Sequence, residues 1–206
     1  VGLTNTVLTG GNATYQDNLN VVATSTNAKL SFANPANLVA GNSGNVVVTA
    51  ATAGSLTGTA NLALTSKVLA GTTGLSDVAL AGQTVAVTGA AYDLANATVV
   101  TTPLALGDIR RNVTANIGVT NTTVSNATYQ DNLNVLATAT NANLSFANPA
   151  DLAAGISGNV VVTAANVGVL NTTISLGLTS KVLTGVTGLT DAALTAQTVA
   201  VKTESL

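Results

Sequence analysis

The chain contains no cysteine, histidine, methionine or tryptophan. Without cysteine there is no disulfide and no thiolate chemistry. Without histidine as well, the commonest general base, the usual nucleophile–base pairs and the soft metal ligands are missing. Aromatic residues are scarce: Phe32, Phe146, Tyr15, Tyr92 and Tyr129 are the whole set. Charge is scarce too, with six Lys and Arg against eight Asp and Glu, for a net charge of −2. That slightly acidic balance argues against nucleic acid or an anionic membrane surface as partner, since both demand clustered Lys and Arg. Apolar stretches are broken every few residues by Thr, Asn or Gly, so no transmembrane span and no membrane insertion are expected. No signal peptide is visible. In a fragment that says nothing about export.

What is present is Val, Leu, Ala, Thr and Asn. Apolar residues make up 47% of the chain. That is enough Val, Leu and Ile to offset chain ordering, and disordered chains usually carry more charge. A length of 206 residues suits two ordinary domains, each with its own core.

The sequence repeats. Asn12-Ala-Thr-Tyr-Gln-Asp-Asn-Leu-Asn20 returns letter for letter as Asn126 to Asn134. From there the copies align without a gap up to Val87 and Val201, at an offset of about 114 residues, far beyond a solenoid coil. Roughly three positions in four are identical, which makes the unit a whole small domain. Val1-Gly-Leu-Thr-Asn-Thr6 aligns with Ile117-Gly-Val-Thr-Asn-Thr122, once two extra residues in the Val7–Gly11 turn are allowed for. The second copy has a lead-in, Pro103 to Ile109, with no counterpart in the first. The expected division is a first repeat over 1–88, a connector over 89–102 and a second repeat over 103–206. The first repeat then lacks its own first strand.

The hydrophobic period is two. Leu133, Val135 and Ala137 share one face of a strand, with Leu136 the exception. Leu170, Thr172, Ile174, Leu176 and Leu178 do the same, as do Val160 with Val162 and Val199 with Val201. Alternation with β-branched residues marks half-buried strands. The second copy reads as about seven strands, the number expected of a small Greek-key sandwich. They are Leu104–Ile109, Ala115–Asn121, Asn132–Thr140, Leu144–Phe146, Asn159–Ala164, Leu170–Thr179 and Gln197–Thr203. Turn chemistry separates them at 155–158, 166–168 and 185–188. A short helical turn is expected at 148–154 and at its equivalent, 34–40. The predicted core is Leu133, Val135, Phe146, Val160, Val162, Ile174, Leu176 and Val199.

Leu106-Gly-Asp-Ile109 followed by Val119-Thr-Asn-Thr122 resembles the opening of bacterial Hydin-type immunoglobulin-like domains. Leu152-Ala-Ala-Gly155 with Ser157, then Val160-Val-Val162, resembles a turn and strand of the same class. Thr187-Gly-Leu189, Gln197 to Val201 and Val87 to Tyr92 resemble the closing segments of repeats in choice-of-anchor D surface proteins. Arg110-Arg111-Asn112 departs from the pattern, where those domains usually carry a Val-Gly-like turn. The resemblance implies an all-β fold of two tandem immunoglobulin-like β-sandwiches. It also implies an exported, extracellular or cell-surface protein of many repeats. It carries no catalytic residues.

Each candidate site has a plainer reading. The acids are Asp17, Asp77, Asp93, Asp108, Asp131, Asp151, Asp191 and Glu204. Asp17 and Asp131 are equivalents, as are Asp77 and Asp191, so these stand a domain apart rather than forming dyads. An enzyme is not expected, because such sites need clustered, perturbed acids. Asp17-Asn18-Leu-Asn20 and its repeat offer oxygen ligands for calcium, but lack the further carboxylates and bidentate Glu of a calcium loop. A polar turn entering a strand is preferred. Tyr15 and Tyr129 could stack on a sugar, or bury their rings as core or corner tyrosines. The second reading is preferred. Phe32 and Phe146 read as core plugs, and Arg110-Arg111 as a solvated turn. Asn-x-Ser/Thr occurs at Asn12, Asn96, Asn112, Asn121, Asn126, Asn143 and Asn171. No catalytic, cofactor or metal residue is assigned, and no cofactor is expected for folding.

The leading expectation is a non-enzymatic structural module of a surface fibre or array, with copies of itself or adjacent repeats as head-to-tail partners. It would assemble by addition of a strand to the open edge of the first repeat. An adhesin that binds surface glycan through Asn/Thr-rich loops is the second reading. A Thr-rich β-solenoid is the third, although the period near 20 residues expected of one is absent.

Overall fold

The computed structural model describes residues 1–106 and 109–202. The chain is all-β and divides into two compact units, Val1–Ala91 and Tyr92–Leu206. The first unit contains β1 (Gly2–Thr4), β2 (Asn18–Ser25), β3 (Leu30–Ala33), β4 (Ser43–Asn45) and β5 (Val47–Ala50). It continues with β6 (Gly54–Ser55), β7 (Gly58–Lys67), β8 (Val78–Ala79), β9 (Gln83–Val87) and β10 (Ala90–Ala91). The second contains β11 (Ala97–Val99), β12 (Leu104–Ala105), β13 (Thr114–Asn121), β14 (Asn132–Thr138) and β15 (Leu144–Ala147). It ends with β16 (Ser157–Ala164), β17 (Thr172–Lys181), β18 (Ala192–Ala193) and β19 (Gln197–Lys202).

In the second unit one sheet has the order β11-β13-β16-β15 and the other β12-β19-β17-β14. Among the described residues the strands pair antiparallel except β12 on β19, where Leu104 faces Val201, and a single parallel bridge joins Asp93 to Gln130. The two sheets face each other across one core. Ile117, Val119, Val160 and Val162 come from the first sheet, and Leu133, Val135, Ile174, Leu176 and Val199 from the second. All are nearly inaccessible to solvent because each strand alternates, one side chain inward and the next outward. Leu136, the break in the alternation, points outward and is exposed. This antiparallel layering is not a solenoid.

The first unit repeats the plan in shorter, more broken strands. β1 pairs with β4 and β3 with β5, while β2, β7 and β9 form the facing sheet with β8 at its margin. Its buried cluster is smaller: Val21, Ala23, Val46 and Leu62. Ala60 stands where the second unit has Ile174, and both are fully buried.

Several expectations change. The segment 89–102 is not a plain connector, because Ala90–Ala91 pairs with β6 and Ala97–Val99 pairs with β13. The boundary falls after Ala91, because the backbone pairing changes partners there. The second unit therefore carries two strands ahead of β13, one on each sheet, rather than one. Ile109 lies outside any strand, Gly107 and Asp108 lie outside the described residues, and so does Thr203. No helical turn forms at 34–40 or 148–154. Leu38 and Leu152 there bridge Leu19 and Leu133, and that backbone pairing excludes a helix. The short 3-10 turns sit instead at Ala13–Tyr15 and Ala127–Tyr129, where Asn12 and Asn126 cap the N–H groups of Thr14 and Thr128. Phe32 and Phe146 are only half-buried, at the margins of the two clusters.

The loops that carry Pro35 and Pro149 lie close against their sheets. A Cβ built on Gly158 would meet Leu152 Cδ2 at 2.8 Å and Pro149 Cβ at 3.0 Å. At Gly44 the same contacts are 2.7 Å to Leu38 and 2.9 Å to Pro35. The glycine is what lets the loop lie on the strand.

Candidate functional site

The segment ahead of β13 is held by a buried polar network. Asn121, the last residue of β13, is fully buried. Its Nδ2 donates to the carbonyls of Asp131 (3.0 Å) and Leu152 (2.9 Å). Its Oδ1 accepts from Gln130 Nε2 and from the backbone N–H of Asn96, both at 3.0 Å. Gln130 is equally buried, donates to the Thr122 carbonyl at 2.9 Å, and accepts from the Val124 N–H at 2.8 Å. Ser180 donates its hydroxyl to Asp131 Oδ2 (2.9 Å) and accepts from the N–H of Ala95 (2.8 Å). Buried polar groups stabilise a fold only when satisfied, and here nearly every one is. Asp131 Oδ1 and Asn18 Oδ1 are the exceptions among the described residues.

Backbone bonds finish the clamp. The Asp93 N–H donates to the Tyr129 carbonyl (2.8 Å), and the Asp131 N–H donates to the Asp93 carbonyl (3.0 Å). Thr122 N–H donates to the Asn96 carbonyl at 2.7 Å. Ser125 Oγ bonds the Asp93 carboxylate. Tyr92 and Tyr129 rings lie 5.5 Å apart, tilted by 50°. Ala95 and Leu106 then insert into the core.

The first unit carries the same network. Asn5 Nδ2 donates to the carbonyls of Asp17 and Leu38, both at 2.9 Å. Gln16 Nε2 donates to Asn5 Oδ1 and to the Thr6 carbonyl, again at 2.9 Å. Ser66 donates to Asp17 Oδ2 at 2.8 Å. Among the described residues, however, no segment of this unit does what Tyr92–Asn96 does in the second. Gln130, Asp131 and Ser180 are buried, whereas Gln16, Asp17 and Ser66 are half-buried. Tyr15 is 83% exposed, which overturns its reading as a core or corner tyrosine; Tyr129 is half-buried beneath Tyr92. The difference is the cover, since the residues are the same. The result is an open groove of about 580 Å³ lined by Asn5, Tyr15, Gln16, Asp17, Ser66 and Leu80, among others.

The groove holds little reactive chemistry. A serine hydroxyl donating to a carboxylate has no second base to activate it, and the identical pair is sealed in the second unit. Of the suggested calcium ligands, Asp17 is engaged by Ser66 and Asn20 donates to Asn37 Oδ1 at 2.7 Å, while Asn18 Oδ1 is buried without a partner among the described residues. Among the described residues no three acidic groups stand close enough to hold a metal ion. Arg110 and Arg111 lie exposed on a turn, with Asn112 at φ 70°. Of the glycosylation motifs, Asn121 is sealed in the core and cannot accept a glycan.

The network of Asn5, Asn121, Gln16, Gln130, Ser66 and Ser180 escaped the sequence reading, which marked Asn121 only as a glycosylation motif. Each keeps its identity between copies, but Asn, Thr and Ser are so abundant that identity alone does not single them out.

One surface difference gives a pH prediction. In the second unit Lys181 Nζ pairs with Asp151 at 2.8 Å, and Asn134 Nδ2 donates to the same carboxylate at 2.8 Å. The bond from Lys181 first, then that from Asn134, holds the Asp151 carboxyl below its ordinary range. The same pairing holds Lys181 above the usual lysine range. A depressed carboxyl stabilises the fold above the unfolded carboxylate range and loses that contribution as pH falls through the folded value. The raised lysine contributes below its unfolded value and loses that at strongly alkaline pH. Asp151→Asn should therefore flatten the acid limb of the second unit's melting temperature by a small amount and leave the first unit, which has Asn37 there, unchanged. Thermal melts across the acid range check this.

No protein-family model, curated protein or solved structure matches the chain.

Proposed function

We propose that the chain is two tandem immunoglobulin-like sandwiches serving as a non-enzymatic structural repeat of an exported surface fibre or array. The observation that carries this reading is the lead-in clamp. The segment that follows the first unit in sequence is built into both sheets of the second through β11 and β12, so in that unit the lead-in is part of the folded repeat. The strand order of the second unit supports the immunoglobulin-like assignment, with the lead-in split between the two sheets and its second part parallel to the last strand. Near-identical core positions in both copies fit an array, where function comes from repetition. The polar networks serve packing, and no group in them is placed for catalysis.

Antibodies raised against the chain should label intact, unpermeabilised source cells or material shed from them. Label confined to permeabilised cells overturns the surface assignment. The adhesin reading has one observation in its favour, the exposed Tyr15 ring beside the amide groups of Asn5 and Gln16. Saturable glycan binding that Tyr15→Ala abolishes would transfer the assignment to it.

A further inference from the structure

We propose that the open groove of the first unit is a docking site for an extended segment of the Tyr92–Leu106 kind, delivered from a repeat joined ahead of β1. The inference deepens the array reading and rests on it for the source of the strand. The occupant is defined by the second unit, where the equivalent groove is filled. There the segment's N–H groups at Asp93, Ala95 and Asn96 meet the Tyr129 carbonyl, Ser180 Oγ and Asn121 Oδ1. The first unit presents the same three acceptors on Tyr15, Ser66 and Asn5, held by the same internal bonds.

The apolar side agrees. Val199 and Val201 are 1% and 2% exposed beneath the lead-in, whereas their counterparts Val85 and Val87 are half-buried. Leu133 is fully buried and Leu19 half-buried. Two edges await pairing among the described residues: β1, beside which β11 lies in the second unit, and β9, beside which β12 lies. Edge strands with apolar neighbours are ready templates for an added strand. In the second unit the donor precedes its own β13 in the chain, and donation in line repeats that order in the first.

The test is a titration of the 206-residue chain, isotopically labelled, with a synthetic peptide of residues 92–106. Saturable NMR shifts are expected at residues 5–6, 15–19, 66 and 83–87, with a rise in the first unit's melting temperature. Ser66→Ala should weaken binding about fivefold, the loss of one hydrogen bond. A peptide with Ala95→Pro lacks the matching N–H and should bind at least about tenfold more weakly. Joining the sequence of residues 92–116 ahead of Val1 should abolish binding of the free peptide. Absence of saturable shifts, or equal shifts from a scrambled peptide, overturns the docking site. Concentration-dependent self-association of the unmodified chain that protects the same residues overturns the in-line source and assigns the donor to a second copy. Either result is read independently of surface labelling, so failure here is distinguishable from failure of the array reading.

Discussion

Asn121→Ala should cost the second unit at least about 3 kcal/mol, read as a lower urea midpoint at unchanged slope. The substitution removes one amide and its four hydrogen bonds. The Leu152 carbonyl keeps the Leu133 N–H and Gln130 Nε2 keeps the Thr122 carbonyl, while the Asp131 carbonyl and the Asn96 N–H lose the bond described for them. Leaving a buried polar group unsatisfied costs about 1–3 kcal/mol, and water entering the gap recovers part of the sum. The same change at Asn5 should cost less, because its surroundings are more open to solvent. Equal losses at Asn5 and Asn121 would mean that burial of the network contributes nothing.

Leu133→Ala should destabilise the second unit by about 2–5 kcal/mol, the range for a fully buried leucine. Leu133 sits in the core between the two sheets and is bridged through its backbone to Leu152. Leu19→Ala, at the matched position of the first unit, should cost less than half as much. Leu19 is already half-buried, so less apolar surface returns to water and less cavity forms. The comparison is made in one molecule by following the two unfolding transitions separately. A larger loss at Leu19 than at Leu133 would contradict the account of the open groove.

The β-sandwich was legible because alternation of Val, Leu and Ile with Thr, Asn and Ser is a strong, local signal. Leu133, Val135, Ile174 and Val199 were placed inward by period alone, and they are inward. The pairing of Leu104–Ala105 at the sheet edge also agrees with the lead-in reading. Ala97–Val99 was missed because a three-residue edge strand inside a Thr- and Ala-rich stretch carries no period of its own. Its pairing with β13 is tertiary information. The tyrosines failed for a related reason. Tyr15 and Tyr129 share a sequence context but not a covering segment, and burial depends on the cover. The polar network was illegible because hydrogen-bonded amides look like surface amides in a sequence rich in both.

The parallel pairing of β12 with β19 has a mechanical consequence. Leu104 faces Val201, Ala105 faces Lys202, and the Leu106 N–H adds a bond to the Lys202 carbonyl at 3.1 Å. β12 lies near the start of the unit and β19 at its described end. Tension along the chain pulls two parallel neighbours in opposite directions along their common axis. The bonds between them are then loaded together, in shear, and none can open before the rest. An antiparallel terminal pair under the same tension would be peeled one bond at a time. The lead-in strand thus sets how the second unit carries load as well as how it is covered.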